Sequence, residues 1–220
     1  KLSEDRIVAS TWQQKVIEDG NIEVKIDIFL LDNNLNKIKS IYELKENIDR
    51  SFAAESQYYP FFCGNSEEIF LTWVSTNEYK IDVYDSKSGN KKYQIKKNYK
   101  TYFYSDIEMD RMSELNKIDM KKEFGNIKKR AINEIFMDKY NRLWVLGTKD
   151  RTKDNLPFLY ADIFVDGIYQ KTFEFKDLVY YDGTGSKYFY KLRFVGDKTI
   201  YFNADEFDDE KGRSIKVFDY

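Results

Sequence analysis

Any chemistry in this chain runs without imidazole, because its 220 residues include no His. Ser-His-Asp and Cys-His activation of a nucleophile are excluded, and so are the usual His-containing zinc sites. Carboxylates, phenols, amines and the oxygen ligands of a hard cation are left. The densest set of such groups is "NADEFDDEKGR", residues 203–213, where Asp205, Glu206, Asp208, Asp209 and Glu210 offer oxygens to calcium or to a basic partner. The run lacks the spacing and the Gly of an EF-hand loop, so a solvated acidic loop is the plainer reading. A second candidate lies in "NEIFMDKYNRLWVLGT", residues 133–148, where Asp138 and Asn141, next to Tyr140, interrupt two apolar runs. Calcium gathers about six to eight oxygens, and this break offers two side chains. Asp and Asn also form turns by bonding to their own backbone, and a turn is preferred here.

The remaining candidates are weaker. Lys117, Lys121, Lys122, Lys128, Lys129 and Arg130, with Tyr99, Tyr102, Phe103 and Tyr104 nearby, have the composition of a base-stacking nucleic-acid surface. Asp119 and Glu123 dilute that charge, and the whole chain carries 36 basic against 38 acidic residues for a net charge of −2. Nucleic acid is therefore not the expected partner, and a polar surface that docks a protein fits better. Gly183 and Gly185 in "YYDGTGSKYFY" lack the strand-and-helix context of a phosphate loop. The single cysteine, Cys63, sits in the apolar run "YYPFFCGN", where a buried, unreactive thiol is expected.

The elements that must hold these groups are β-strands. Eighteen Tyr and 17 Phe in a chain that is 17% aromatic favour half-buried strands. One unit recurs along the chain: strand, tight break, strand, polar loop, third strand ending near Asp, turn, fourth strand. Its clearest copy starts at "PFFCGNSEEIFLTWV" and ends at "KIDVYDSKSGNKKYQIKK"; the units cover approximately 1–45, 57–100, 131–176 and 188–220. The first lacks its first strand and the last lacks its fourth. Ile7, Ile69, Leu143 and Ile200 mark equivalent second-strand positions, and Trp12, Trp73 and Trp144 lie in or beside them as expected packing residues. Asp166-Gly167 should form a type I′ turn, with further turns at Asp32-Asn33-Asn34, Gly64-Asn65-Ser66, Ser86 to Asn90 and Gly196-Asp197.

An inserted helix is expected near residues 105–123. Ser105 and Glu108 have capping-box spacing, Met112, Leu115 and Ile118 fall on one face, and Gly125 suits the stop. No apolar stretch approaches the roughly 20 residues of a membrane span. Meanders of four short strands cannot bury both faces alone, and stacking them around an axis does so with only short edges left. The expected class is all-β, a single β-propeller domain or part of one.

The segments "EEIFLTWVSTNEYKIDVYDSKSGN", "INEIFMDKYNRLWVLGT" and "ADIFVDGIYQKTFEF" resemble blades of the bacterial six-bladed β-propellers related to NHL-repeat and TolB-like proteins. The resemblance covers about four repeats, in which an Asp-containing turn before Leu-Trp-Val joins the first two strands and a second Asp turn joins the last two. It implies a six-bladed ring with two further blades' worth of sequence before Lys1, or a closed four-bladed ring, and a periplasmic or cell-surface location, possible as a lipoprotein. The repeat architecture and the lack of a catalytic constellation point first to a non-enzymatic binding or scaffold role that recognises a protein or small ligand through loops on one propeller face; the alternative, implied by the resemblance, is a calcium-dependent propeller hydrolase or lyase with an acidic channel site. Asp205, Asp208, Asp209 and Glu210 are the metal candidates; no catalytic residue or cofactor other than calcium is assigned.

Overall fold

A computed structural model describes residues 6–17, 21–48, 60–73, 75–150, 157–179, 190–195, 199–208 and 212–219. Four antiparallel sheets follow one another along the chain, each a meander in which sequence neighbours pair. The first is β1 (Ile7–Val16), β2 (Ile22–Leu31) and β3 (Lys37–Ile48); the second is β4 (Phe61–Gly64), β5 (Glu68–Thr72), β6 (Tyr79–Asp85) and β7 (Lys91–Lys97). After two helices come β8 (Glu134–Met137), β9 (Arg142–Asp150), β10 (Pro157–Val165) and β11 (Ile168–Val179), then β12 (Tyr190–Val195), β13 (Thr199–Asp208) and β14 (Gly212–Asp219). The all-β class holds, and among the described residues so does the count of three, four, four and three strands.

Alternation makes each strand two-faced. In β2, Val24, Ile26, Ile28 and Leu30 are buried, and Lys25 between them is exposed. β10 is buried on both faces from Pro157 to Phe164. The chain divides into two compact units, one of residues 1–74 and 80–97 and one of residues 75–79 and 98–220. In the first, the apolar face of β2 shares a cluster with Ile69, Leu71 and Tyr84 of the second sheet. In the second, Leu159, Ala161 and Ile163 of β10 share one with Trp144, Phe175 and Ile200, against which Phe218 packs. Burial in these clusters, at about 25 cal/mol per Å² of apolar surface, is what holds the first sheet to the second and the third to the fourth.

The register aligns the units residue by residue. Asp27 in "KIDIF", Asp82 in "KIDVY" and Asp162 in "ADIF" occupy one mid-strand position, and Phe29, Tyr84, Phe164 and Phe218 stand two residues later than that position in their sheets. Opposite these aromatics lie Ala9, Ile69, Leu143 and Ile200. The first-unit equivalent is thus Ala9, two residues beyond the expected Ile7, because β1 starts before the matched segment does. The tryptophans pack as expected but are not equivalent: Trp12 pairs with Ile26, before the mid-strand Asp, and Trp144 with Ile163, after it.

The turns follow local chemistry. Asp166 and Gly167 have φ of 49° and 72°, the pair of positive values that type I′ needs. The Asp32 turn runs on to Leu35, whose φ is 65°. Gly196-Asp197 lies outside the described residues.

The insertion is two helices, where one was expected. α1 (Asp106–Asn116) opens with both halves of the Ser105/Glu108 capping box and ends at Lys117 in the left-handed region, φ 56°. α2 (Met120–Phe124) is capped by Asp119 and closed by Gly125 at φ 65°. Among the α1 side chains described, Met109 and Glu108 are buried and Met112 is half-buried, the Leu115 side chain lies outside the described ones, and Ile118, beyond the Lys117 reversal, is 44% exposed and off the expected stripe. Among the described residues no helix is long and apolar enough to cross a membrane.

Candidate functional site

Asp138 stands at the break between β8 and β9 with its side chain 1% exposed. One carboxylate oxygen accepts the Tyr140 and Arg142 backbone N–H groups at 2.8 and 2.9 Å. The other accepts Arg142 Nε at 2.6 Å and Trp144 Nε1 at 2.9 Å. Four donors converge on two oxygens, two of them from cationic or buried side chains, which leaves a cation no favourable approach. Asn141, at φ 59°, supplies the left-handed residue that closes the turn and bonds through its N–H to the Asp138 carbonyl. Tyr140 lies under the Arg142 guanidinium, 4.9 Å from ring centroid to Cζ. The break is a turn, as the residues themselves suggested.

The same device recurs. Asp32 accepts the N–H groups of Asn34 and Asn36, Asn65 those of Glu67 and Glu68, and Asp85 those of Lys87 and Ser88. Each satisfies backbone donors that a tight turn would otherwise expose. These side chains are structural at the four reversals they occupy.

The basic segment does not form one surface. Lys129 is fully buried, its ammonium 2.8 Å from Glu108 Oε2, and the same oxygen accepts from Ser105 N at 2.8 Å. Lys121 pairs with Asp106, and Lys128 donates to Asn77 at 3.0 Å. Tyr99 donates toward the Lys129 and Arg130 carbonyls and meets Tyr102 edge to face, with centroids 6.0 Å apart. Tyr99 and Tyr102, two of the aromatics whose composition suits base stacking, are thus engaged with the insertion's own backbone and with each other.

The acidic run falls differently from its expected loop. β13 continues to Asp208, with a register break between Asn203 and Phe207, so Asp205 and Asp208 lie on a strand; Asp209 and Glu210 lie outside the described residues. Gly183 and Gly185 lie outside them too. Among the described residues no group of three or more Cys, Asp or Glu is placed to hold a metal ion.

One polar niche escaped the sequence reading. Asp162, fully buried in β10, accepts from Thr172 Oγ1 on β11. Tyr160, two residues earlier on the same face, crosses Gly147 of β9 so closely that a Cβ there would stand 2.5 Å from its hydroxyl. The cross-strand pairing places Asn133, just ahead of β8, beyond Gly147 on that row, 7% exposed and with neither amide atom hydrogen-bonded. Burial, then the charge of Asp162, pushes the Tyr79 and Tyr160 phenols above their ordinary value. The signal was present: a lone Asp inside an apolar strand must find partners. The niche gathers a buried carboxylate, a hydroxyl, phenols and an amide.

Among the described residues, every group whose titration clearly departs from ordinary is shifted away from neutral pH. Hydrogen bonds from Lys45, Asn36 and Ser88 lower Glu23, Asp32 and Asp85 respectively. Burial opposes the lowering of Glu174, but Lys176 and Lys149 outweigh it. Glu68 raises Lys92 and Asp106 raises Lys121. Burial raises Tyr42, brings Tyr84 to about 12 and lifts the Cys63 thiol, which leaves Cys63 no nucleophile.

A pH prediction follows from these directions. Lowered carboxylates contribute stability that is present above their unfolded values and lost as pH falls through the folded ones. Raised amines and phenols contribute stability present below their unfolded values and lost as pH rises through the folded ones. With no His to titrate between, the melting temperature should stay level from about pH 6 to 8 and fall below about pH 4 and above about pH 10. A transition centred near pH 6.5 in a scan of melting temperature would contradict this.

No protein-family model matches the chain, and a comparison with curated proteins finds no match either.

Proposed function

We propose that the chain is a non-enzymatic binding or scaffold module, built as part of a β-propeller, that recognises a protein or small ligand through its loops. The carrying observation is that the Asp and Asn side chains at the described strand breaks, Asp32, Asn65, Asp85 and Asp138, are bonded to backbone N–H groups and serve the turns. Two pairs of successive meanders, each pair sharing one apolar cluster, support the radial stacking. On and around the insertion, Phe103, Ile107, Ile118 and Phe124 are 47%, 42%, 44% and 53% exposed, apolar surface of the kind that docks partners.

The test is directed at the rival reading, a calcium-dependent hydrolase or lyase. Mass spectrometry of the purified protein should find no stoichiometric calcium, and adding about 1 mM calcium should leave the melting temperature unchanged. A bound ion with a rise of several degrees would overturn the binding-module reading in favour of the metal-dependent one.

A further inference from the structure

The polar face of the third sheet holds an orphaned amide. Asn133 sits just ahead of β8, and its backbone N–H donates to the Leu146 carbonyl at 2.8 Å, which continues the β8–β9 ladder by one residue. Asn133 therefore stands opposite Gly147, and Tyr160 of β10 stands opposite Gly147 from the other side. Alternation puts the side chains of this row on one face, next to the row of Val145, Asp162 and Thr172. Asn133 is sealed from bulk solvent, and neither its Oδ1 nor its Nδ2 has a hydrogen-bond partner among the described residues.

Gly147 has no side chain, so the Tyr160 ring lies across it with the hydroxyl 2.5 Å from where a Cβ would stand. Facing side chains on neighbouring strands are about 4.5–5.5 Å apart at Cβ. The Tyr160 hydroxyl is thereby brought within a water's span of the Asn133 amide without bonding to it. A buried amide with both atoms unbonded costs the folded state their desolvation. Interior waters settle where about two to four polar groups surround them. Asn133 supplies a donor and an acceptor, and the Tyr160 hydroxyl can act as either.

Thr148 provides the contrast. Its Oγ1 is also buried and unbonded, but it lies on the opposite face of β9, the face that Trp144 and Leu146 present to the apolar cluster. Those apolar side chains give a water nothing further to bond.

We infer that one water is bound between the Asn133 amide and the Tyr160 hydroxyl and that it satisfies the amide. The site lies within the third sheet, so it stands or falls separately from the loop-binding role and from ring closure.

The test is a water–protein NOE spectrum of the whole isotope-labelled chain. The Asn133 side-chain NH₂ should show a cross-peak to water with the sign of a long-lived bound molecule. Tyr160→Phe keeps the ring and should lose that cross-peak, because the water loses a partner. Asn133→Leu removes the water's anchor and strands the Tyr160 hydroxyl, so it should move the unfolding equilibrium about tenfold toward the unfolded state. Thr148→Val, in the apolar cluster, should cause no such loss. A parent without the cross-peak would overturn the proposal, and so would a crystal structure that joins Asn133 directly to Tyr160. An Asn133→Leu variant as stable as the parent or more so would overturn it too, since that is the mark of a dry amide. If Asn133→Leu does not fold, persistence of the cross-peak unchanged in Tyr160→Phe overturns the assignment and its loss supports it.

Discussion

Replacing Lys129 by Met is expected to lower the unfolding free energy by about 3–5 kcal/mol, read from urea denaturation at neutral pH. Lys129 is fully buried and Glu108 is 2% exposed, so removing the ammonium leaves a carboxylate in a dry site. Ser105 still donates to Glu108 through its N–H and hydroxyl, which limits the loss but does not neutralise the charge. Glu108→Gln in the same background should recover part of the loss, because the amide keeps an acceptor for Ser105 and carries no charge. The double-mutant cycle should therefore give a coupling of at least about 1 kcal/mol. A Lys129→Met variant within about 0.5 kcal/mol of the parent would mean that the pair is solvated and that the insertion is held by its apolar contacts alone.

Asp138→Ala should cost about 3 kcal/mol, because it strands donors of unequal importance. The Tyr140 N–H and the Arg142 guanidinium are near water and can be rehydrated. The Trp144 indole N–H cannot, since Trp144 is fully buried and stacked on Phe136 at 5.7 Å between centroids. Asp138→Asn should recover little, because its NH₂ must face at least one of the four donors. Trp144 emission should change in both variants, and calcium should not alter the stability of the parent or of either variant. A variant of native stability that had lost a calcium-dependent melting shift would reinstate the metal loop.

The two cases show where local reasoning suffices. Asp138 could be read as a turn because its partners lie within six residues, and the Ser105 box because its members are three apart. Lys129 could not, since nothing in "NIKKRAIN" separates it from the exposed Lys128 beside it; only the return of this segment past Tyr102 and Glu108 buries one and not the other. The break at Lys117 was equally hidden, because a left-handed Lys is set by how α1 and α2 pack and not by propensity. The Ala9 register shift arose because β1 is longer than its matched core, so apolar character alone could not fix which residue faces Phe29.

By itself, then, the sequence determined the period-two strands, the Asx and Asp-Gly turns and the three-four-four-three order, since strand alternation and turn bonds are interactions among near neighbours. The absence of His likewise settled which catalytic chemistries are closed. Tertiary structure decided which polar side chains are buried: that Asp162 meets Thr172 and that Lys129 meets Glu108 away from solvent. Burial of a charge or of a strand edge depends on residues distant in the chain, and no local pattern encodes that distance.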